Sequence, residues 1–396
     1  MSTSALSVLF VDDEQKILDG FRRQLREHRA RWTMRFTTDG ADALAMLAAE
    51  PADVIVADMR MPGMSGGELL REVHRRYPET TRIIFSGETD QTDLCRNIGS
   101  VHHYLHKPCD PGLLCQAIER TNTLRQRLAS PKLRLAVNRI AALPPGGENY
   151  RALRAELARE PADIGKIARY VSRDPALTAK VMQLVSSAFF GLPRRLSDPR
   201  DAVVLLGVNA IQAIVVAGQI FDLIDSNSRH RHQIVRLWTS SILTGDLAAR
   251  YAQDSHASRE TQQVARLAGV LSLIGRAILL NSEAASYTDV WKRARCSQTT
   301  LAAAEHEIYG ATYTDIGGYA LGLWGLPEAI VNAVAAQDAP GLLPRSDIND
   351  ACMHVHLARW TLGGPARTLD ERPLLDQSLS DRPIISSLID PRRQSA

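Results

Sequence analysis

The feature that most restricts this chain is a regular alternation of short apolar runs and amphipathic helical patterns over its first third. Runs of strand length occupy residues 6–11, 33–37, 54–57, 82–85 and 101–105. Helical patterns begin between them near Gln15, Ala41, Gly66 and Asp90, and a last one follows Asp110. Strands alternating with helices at this spacing predict a parallel, doubly wound α/β sheet, because each crossover must return the chain to start the next strand in the same direction. Such a sheet lines up the carboxyl ends of its strands along one edge, where reactive groups collect.

The alternation stops after residue 126. The last helical pattern turns polar and arginine-rich from about Thr121, and Pro131 limits how far it can run. Residues 127–142 read as a helical linker that ends at Leu143-Pro144-Pro145-Gly146-Gly147. From 143 to 364 the periodicity is helical throughout, with breaks at Asp174-Pro175, Gly191-Leu192-Pro193, Asp198-Pro199 and Gly325-Leu326-Pro327. Residues 365–396 form a polar, partly ordered tail rich in Pro, Asp, Arg and Ser.

Composition narrows the functional classes. At 396 residues with a net charge of +3, the chain offers no electrostatic reason to seek nucleic acid or a membrane surface. The most apolar stretch, residues 202–221, carries Asn209, Gln212 and Gln219, which suits core helices better than a bilayer span. The N-terminus has no signal-peptide pattern. The five cysteines show no CxxC pairing and read as reduced thiols of a cytoplasmic protein.

Each predicted strand end in the first third carries a group with chemistry. The first ends in Asp12-Asp13-Glu14, the third at Asp58, the fourth at Ser86-Gly87, and the fifth leads to Tyr104-Leu105-His106-Lys107-Pro108. Brought to one crevice, these suit phosphoryl transfer onto a carboxylate, with Asp58 as nucleophile. Clustered carboxylates repel unless a hard cation sits among them, which predicts Mg²⁺ held by Asp12, Asp13, Asp58 and the backbone carbonyl of Arg60. Lys107 would neutralise the phosphoryl oxygens and Ser86 would donate to them. A lone Asp pair after a strand is ordinarily a helix cap, and Asp13 has that reading too; the conjunction of four strand ends in order is what outweighs it. Arg60 and Glu88, each two residues past a site residue, are expected to flank the phosphoryl group and shield it from water.

Residues 4–126 resemble the receiver domain of two-component response regulators, a flavodoxin-like fold. The resemblance implies that Asp58 is the phosphoacceptor, Asp12 and Asp13 the metal-binding acidic pair, Ser86 the switch hydroxyl, Tyr104 the switch aromatic, Lys107 the phosphate-sensing lysine and Pro108 a cis proline.

In the second half, Ile164, Ile167, Ala168 and Val171 recur at helical spacing, as do Leu177, Val181, Leu184 and Val185, and both stripes read as core. The runs Asp174-Pro175-Ala176-Leu177-Thr178-Ala179-Lys180-Val181, Ser186-Ser187-Ala188-Phe189-Phe190-Gly191-Leu192-Pro193 and Asp201-Ala202-Val203-Val204-Leu205-Leu206-Gly207 resemble the HDOD domain, an all-helical output module related to metal-dependent HD phosphohydrolases. Ser186 departs from it, since Asn is common there. By that resemblance the HD metal positions fall on Ser240, Ser272, Leu273 and Tyr313, and Leu273 cannot ligate a metal. The remaining histidines form no ligand set; His102, His103 and His106 are expected at the surface or edge of the fifth strand.

Two functions follow as expectations. The first is a non-enzymatic regulator, phosphorylated on Asp58 by a sensor histidine kinase or phosphotransfer protein. Its helical domain would bind a downstream signalling protein, with a homodimer as a further expectation. The second is a phosphorylation-regulated phosphohydrolase or cyclic-dinucleotide phosphodiesterase.

Overall fold

The computed structural model describes residues 5–87, 97, 99–108, 110–140, 143, 145, 147–186, 196–222, 231–344, 346 and 349–363. Its first part is a parallel sheet of β1 (Leu6–Val11), β2 (Trp32–Thr37), β3 (Val54–Ala57), β4 (Thr81–Ser86) and β5 (His103–His106), in the order β2-β1-β3-β4-β5. Helices α1 (Gln15–Gln24), α2 (Gly40–Ala49), α3 (Gly66–Arg76) and α4 (Pro111–Arg127) cover it. This is the doubly wound arrangement predicted from the alternation, in the flavodoxin-like form that the resemblance implied. The helix expected near Asp90 lies outside the described residues.

Local chemistry fixes where the helices start. Ser65 and Glu68 form a reciprocal capping box on α3, Asp39 accepts from two amides at the start of α2, and Asp110 precedes Pro111 at the first position of α4. Every residue of β4 is buried, as expected for a strand covered on both faces. One apolar cluster, with Val8, Phe10, Phe21, Ile83 and Ile118, fills one side of the sheet.

The fifth strand begins later than the pattern suggested. Pairing with β4 starts at His103, opposite Ile83. The carbonyls of Val101 and His102 instead accept the Gln183 side-chain amide from the helical half, at 3.0 and 3.4 Å.

The chain then turns helical. The linker carries α5 (Pro131–Asn138), capped by Ser130. Beyond it come α6 (Gly147–Leu157), α7 (Ile164–Ser172), α8 (Pro175–Ser186), α9 (Pro199–Asp222), α10 (Arg231–Asp254) and α11 (Arg259–Leu271). Next are α12 (Ile274–Ser282), α13 (Ala284–Cys296), α14 (Leu301–Tyr309), α15 (Tyr313–Leu323), α16 (Glu328–Ala335) and α17 (Asp350–Leu362). Among the described residues no strand follows β5. The breaks expected at Asp174-Pro175, Asp198-Pro199 and Gly325-Leu326-Pro327 each separate helices, with Gly325 at φ +77. The break at residues 191–193, the tail from 365 and Glu88 lie outside the described residues. The stretch Arg259–Ser282 is long and apolar enough to cross a membrane, yet 89% of its apolar 18-residue window is buried inside the fold, as core helices are.

The two halves share an apolar cluster that runs from Ile55, Ala57 and Tyr104 through Leu124 and Leu133 into Leu184, Ile316 and Leu321. Helix α4 lies along α15, where Gly322 leaves room for the Leu124 side chain. Arg120 donates to the Leu326 carbonyl at 2.6 Å. Along α4, Leu114 and Ile118 are buried within the sheet domain, Leu113 is exposed, and Leu124 makes the connection to the helical half.

Candidate functional site at the strand ends

The carboxyl edge of the sheet brings Asp12, Asp58 and Lys107 together. Parallel pairing sets Val11 beside Ala57, so the residues that follow them, Asp12 and Asp58, leave the sheet side by side. The Asp58 amide donates back to the Val11 carbonyl at 2.9 Å. From β5, Lys107 reaches in, its amide donating to the Ser86 carbonyl at 2.7 Å. Its ammonium donates to Asp12 Oδ2 and to Asp58 Oδ1, each at 2.5 Å. The Lys107–Pro108 peptide is cis, as the resemblance implied.

The electrostatics follow from burial. Asp12 is 2% and Asp58 8% exposed. Burial raises the Asp12 carboxyl above its ordinary value, against the pull of Lys107. Burial pulls the Lys107 ammonium down, but its hydrogen bonds to Asp12 and Asp58 outweigh it and leave it raised. One ammonium between two carboxylates leaves a net negative crevice.

The backbone around Asp58 is tightly held. The Arg60 amide donates to Asp58 Oδ2 at 2.7 Å. The start of α3 presses on the same turn: a Cβ at Gly66 would lie 1.8 Å from the Asp58 carbonyl oxygen. Only glycine permits that approach. Asp12 Oδ1 accepts from the Glu14 amide at 3.0 Å, so Asp12, not Asp13, secures the turn into α1, and no side chain caps that helix.

The other residues singled out from sequence take up different positions. Asp13 and Arg60 are exposed and line a cavity of about 660 Å³ beside the carboxylates, with Met59, Met61, Pro62, Glu68 and Arg71. Ser86 ends β4 and is 3% exposed, while Tyr104 in β5 is 1% exposed and paired with Ile84. Glu88, expected to meet Arg60, lies outside the described residues.

The donor set fits a hard divalent cation. Two buried carboxylates share one crevice, and the Asp12 carboxyl is raised by burial, so a cation there would be favoured. Among the described residues no three His, Cys, Asp or Glu side chains form a metal cage, so backbone oxygen or water must complete such a site.

The HD-related positions lie in a different environment. Ser272 and Leu273 are both 0% exposed, at the turn between α11 and α12, which meets the start of α15 so closely that a Cβ at Gly275 would sit 1.9 Å from the Tyr313 oxygen. The Tyr313 ring lies under the Arg276 guanidinium at 4.2 Å and the Arg359 guanidinium at 5.3 Å. Its hydroxyl donates to the Asp338 carboxylate at 2.7 Å, and its amide donates to Glu305 Oε2 at 2.8 Å. Glu305 also pairs with Arg276 at 3.1 Å and accepts from the Tyr287 hydroxyl at 2.6 Å. Burial first, then the neighbouring Glu305, holds the Tyr287 hydroxyl well above its ordinary value. Ser240 is only half-buried on α10, whereas its neighbour Ser241 is wholly inside.

Sequence reading missed this network of Glu305, Arg276, Tyr287 and Asp338. Its only signal was a charge set among apolar neighbours, Arg276 in α12 and Glu305 in α14. One of the histidines near β5 also needs correction. His102 is buried at 4% exposure and touches Arg82, and burial followed by Arg82 keeps its imidazole well below the ordinary value. His103 packs against Gly325, and burial pushes it down to about 3. Only His102 departs from the expectation, because the helical half covers the chain just before β5, whereas His103 and His106 are half-buried on β5, the edge strand of the sheet.

Comparison with known proteins agrees with this division. The family profile described as response regulator receiver domain matches residues 8–119, and the one described as HDOD domain matches residues 143–340. The hydrogenase transcriptional regulatory protein HoxA of Cupriavidus necator is 36% identical over 122 residues, 30% of this chain and 25% of that protein. The DNA-binding transcriptional regulator NtrC of Escherichia coli K12 is 31% identical over 126 residues, 32% of this chain and 26% of its own. The chain thus spans about a quarter of the length of these curated relatives. Among solved structures, the signal receiver domain of an HD domain-containing protein from Pseudomonas fluorescens Pf-5 is 29% identical, covering 31% of this chain and 98% of that one, with a TM-score of 0.30. The MmoQ response regulator of Methylococcus capsulatus is 20% identical, covering 55% and 84%, with a TM-score of 0.46.

Proposed function

The chain belongs to the response regulators that join a receiver to an HDOD domain, and from that premise we propose that it is a phosphorylation-controlled binding protein. A histidine kinase or phosphotransfer protein donates the phosphoryl group to Asp58, and the HDOD domain presents or withholds a surface for a downstream signalling protein. The observation that carries this reading is the convergence of Asp12, Asp58 and Lys107.

In the transfer, an Asp58 carboxylate oxygen bonds to phosphorus as the phosphorus–nitrogen bond of the donor phosphohistidine breaks, and the electron pair returns to the imidazole. Lys107 moves from the carboxylates to the incoming phosphoryl oxygens, Ser86 donates its hydroxyl to one of them, and Tyr104 responds from the neighbouring strand. Asp12 and Asp58, with the Arg60 carbonyl and with Asp13 once it turned in towards them, would hold the Mg²⁺ that receivers generally use, and the ion would supply charge neutralisation at the phosphoryl group. Arg60, exposed in the lining of the cavity, screens the product from water.

The HDOD domain acts by binding. Where an HD hydrolase needs imidazole and carboxylate ligands, this chain has Leu273, which offers no ligand atom, and Tyr313, whose hydroxyl is taken up by Asp338. The test is mass spectrometry of the full chain after incubation with Mg²⁺ and a small phosphodonor, followed by a partner pull-down. One phosphoryl group is expected on wild type and none on Asp58→Asn. Equal labelling of both, or partner capture indifferent to Asp58→Ala, would refute the reading.

A further inference from the structure

The seam between the halves is organised by a residue that the phosphorylation chemistry does not use. Arg82, in β4, is 1% exposed, and among the described residues it has no carboxylate partner. Its Nε donates to the Ser100 carbonyl at 2.6 Å. One terminal nitrogen donates to the carbonyls of Pro78 and Thr80, at 3.1 and 2.7 Å. The other donates to the Asn138 carbonyl at 3.3 Å and lies 2.8 Å from His102 Nε2. A guanidinium has five N–H bonds in a fixed fork, and here four carbonyl acceptors on three segments surround it, with His102 held beside it by the Arg82 amide, which donates to His102 Nδ1 at 3.1 Å.

Asn138 is the last residue of α5, so its carbonyl lies at the negative end of that helix, which is the nearest thing to a counter-charge that Arg82 meets. Asn138 also faces the other way: its Oδ1 accepts from the Tyr319 hydroxyl of α15 at 3.4 Å. The linker helix is therefore gripped on one side by the receiver and on the other by the HDOD domain. Burial without a carboxylate pushes the Arg82 guanidinium down to about 9, so it stays charged at neutral pH while resting on neutral acceptors alone.

Strand β4 connects this grip to the Asp58 site. Arg82 and Ser86 are its second and last residues, roughly 13 Å apart at strand rise, and every residue between them is buried. A close-packed strand moves as a unit, so a shift at one end is felt at the other. We propose that Arg82 is the clasp that holds the linker helix, and with it the HDOD domain, against the receiver, and that β4 loosens the clasp when Ser86 is drawn towards a phosphoryl group on Asp58. The second half of this proposal rests on the phosphoryl reading of the site; the first does not.

Hydrogen exchange of the full chain tests both halves, with beryllofluoride and Mg²⁺ as the phosphoryl mimic and its binding read separately by fluorine magnetic resonance. Bound mimic is expected to speed exchange of the α5 amides about tenfold, the loss of roughly one charged hydrogen bond. Arg82→Lys keeps the charge but loses the fork. It is expected to give that faster exchange without mimic, and mimic then adds nothing. Tyr319→Phe, which releases the opposite side of Asn138, should speed α5 exchange by a smaller factor and serves if Arg82→Lys does not fold. Wild-type protection of α5 in both variants would overturn the clasp. Bound mimic with unchanged α5 exchange would overturn the coupling along β4. Failure of the mimic to bind would instead refute the Asp58 reading, leaving the clasp to stand or fall on the variants.

Discussion

Replacing Lys180 by Met should stabilise the protein, and more so at neutral than at alkaline pH. Lys180 lies on α8, 9% exposed, with its ammonium 3.3 Å from Gln183 Oε1 and 5.5 Å from the centre of the Trp324 ring. Burial, reinforced by Arg82, pushes it down from 10.5 to about 7. At about 1.4 kcal/mol per tenfold change in proton affinity, that drop is a folding penalty of about 5 kcal/mol near neutral pH. The sign follows from linkage: the folded state binds the proton less tightly than the unfolded chain, so the penalty is full below about 7 and fades as pH rises towards 10.5. Methionine fills similar volume without charge, but it forfeits the hydrogen bond to Gln183 and the contact with Trp324, together about 2 kcal/mol. The net gain expected near pH 7 is about 1–3 kcal/mol. Urea unfolding of both proteins across about pH 6.5 to 9.5 reads it, with the difference shrinking by up to about 1.4 kcal/mol per pH unit above neutrality. A difference that stays constant with pH, or a destabilised variant at every pH, would refute the argument.

Other predictions concern the two polar centres. Gly66→Ala should cost about 1–3 kcal/mol and slow phosphoryl uptake, since its new Cβ would collide with the Asp58 carbonyl; thermal unfolding and phosphodonor labelling check both. Tyr313→Phe should lose about 1–3 kcal/mol by leaving the Asp338 carboxylate without its hydroxyl donor, measurable by denaturant titration. Arg60→Ala should shorten the lifetime of the aspartyl-phosphate without preventing its formation, followed by the loss of label after donor removal. Elemental analysis of the purified chain should find no transition metal in stoichiometric amount, and metal that survives Asp58→Ala would revive the hydrolase reading.

How much of this was legible beforehand differs between the two halves. The receiver fold and the convergence of its strand-end side chains could be read because both follow from local patterns. Strand and helix periods appear within a few residues, and a parallel sheet carries the ends of separate strands to one edge by construction, so Asp12, Asp58 and Lys107 had to approach one another. The start of β5 was misjudged because Val101 and His102 have strand-like neighbours, yet their carbonyls are taken by Gln183, more than eighty residues away. The same reason hid the burial of His102.

The HDOD half showed its helices and their breaks, but not what gathers between them. An apolar stripe says which face of a helix turns inward; it does not say which buried charge meets which. Arg276 finds Glu305, Tyr313 finds Asp338 and Arg82 finds Asn138 only after helices and sheet have packed, because each pairing depends on relative position across long separations. The meeting of Asp12, Asp58 and Lys107 was thus determined by the sequence, through the fixed geometry of a parallel sheet. The seam through which that chemistry would be felt was decided by tertiary packing alone, since no local period encodes where one element will rest against another.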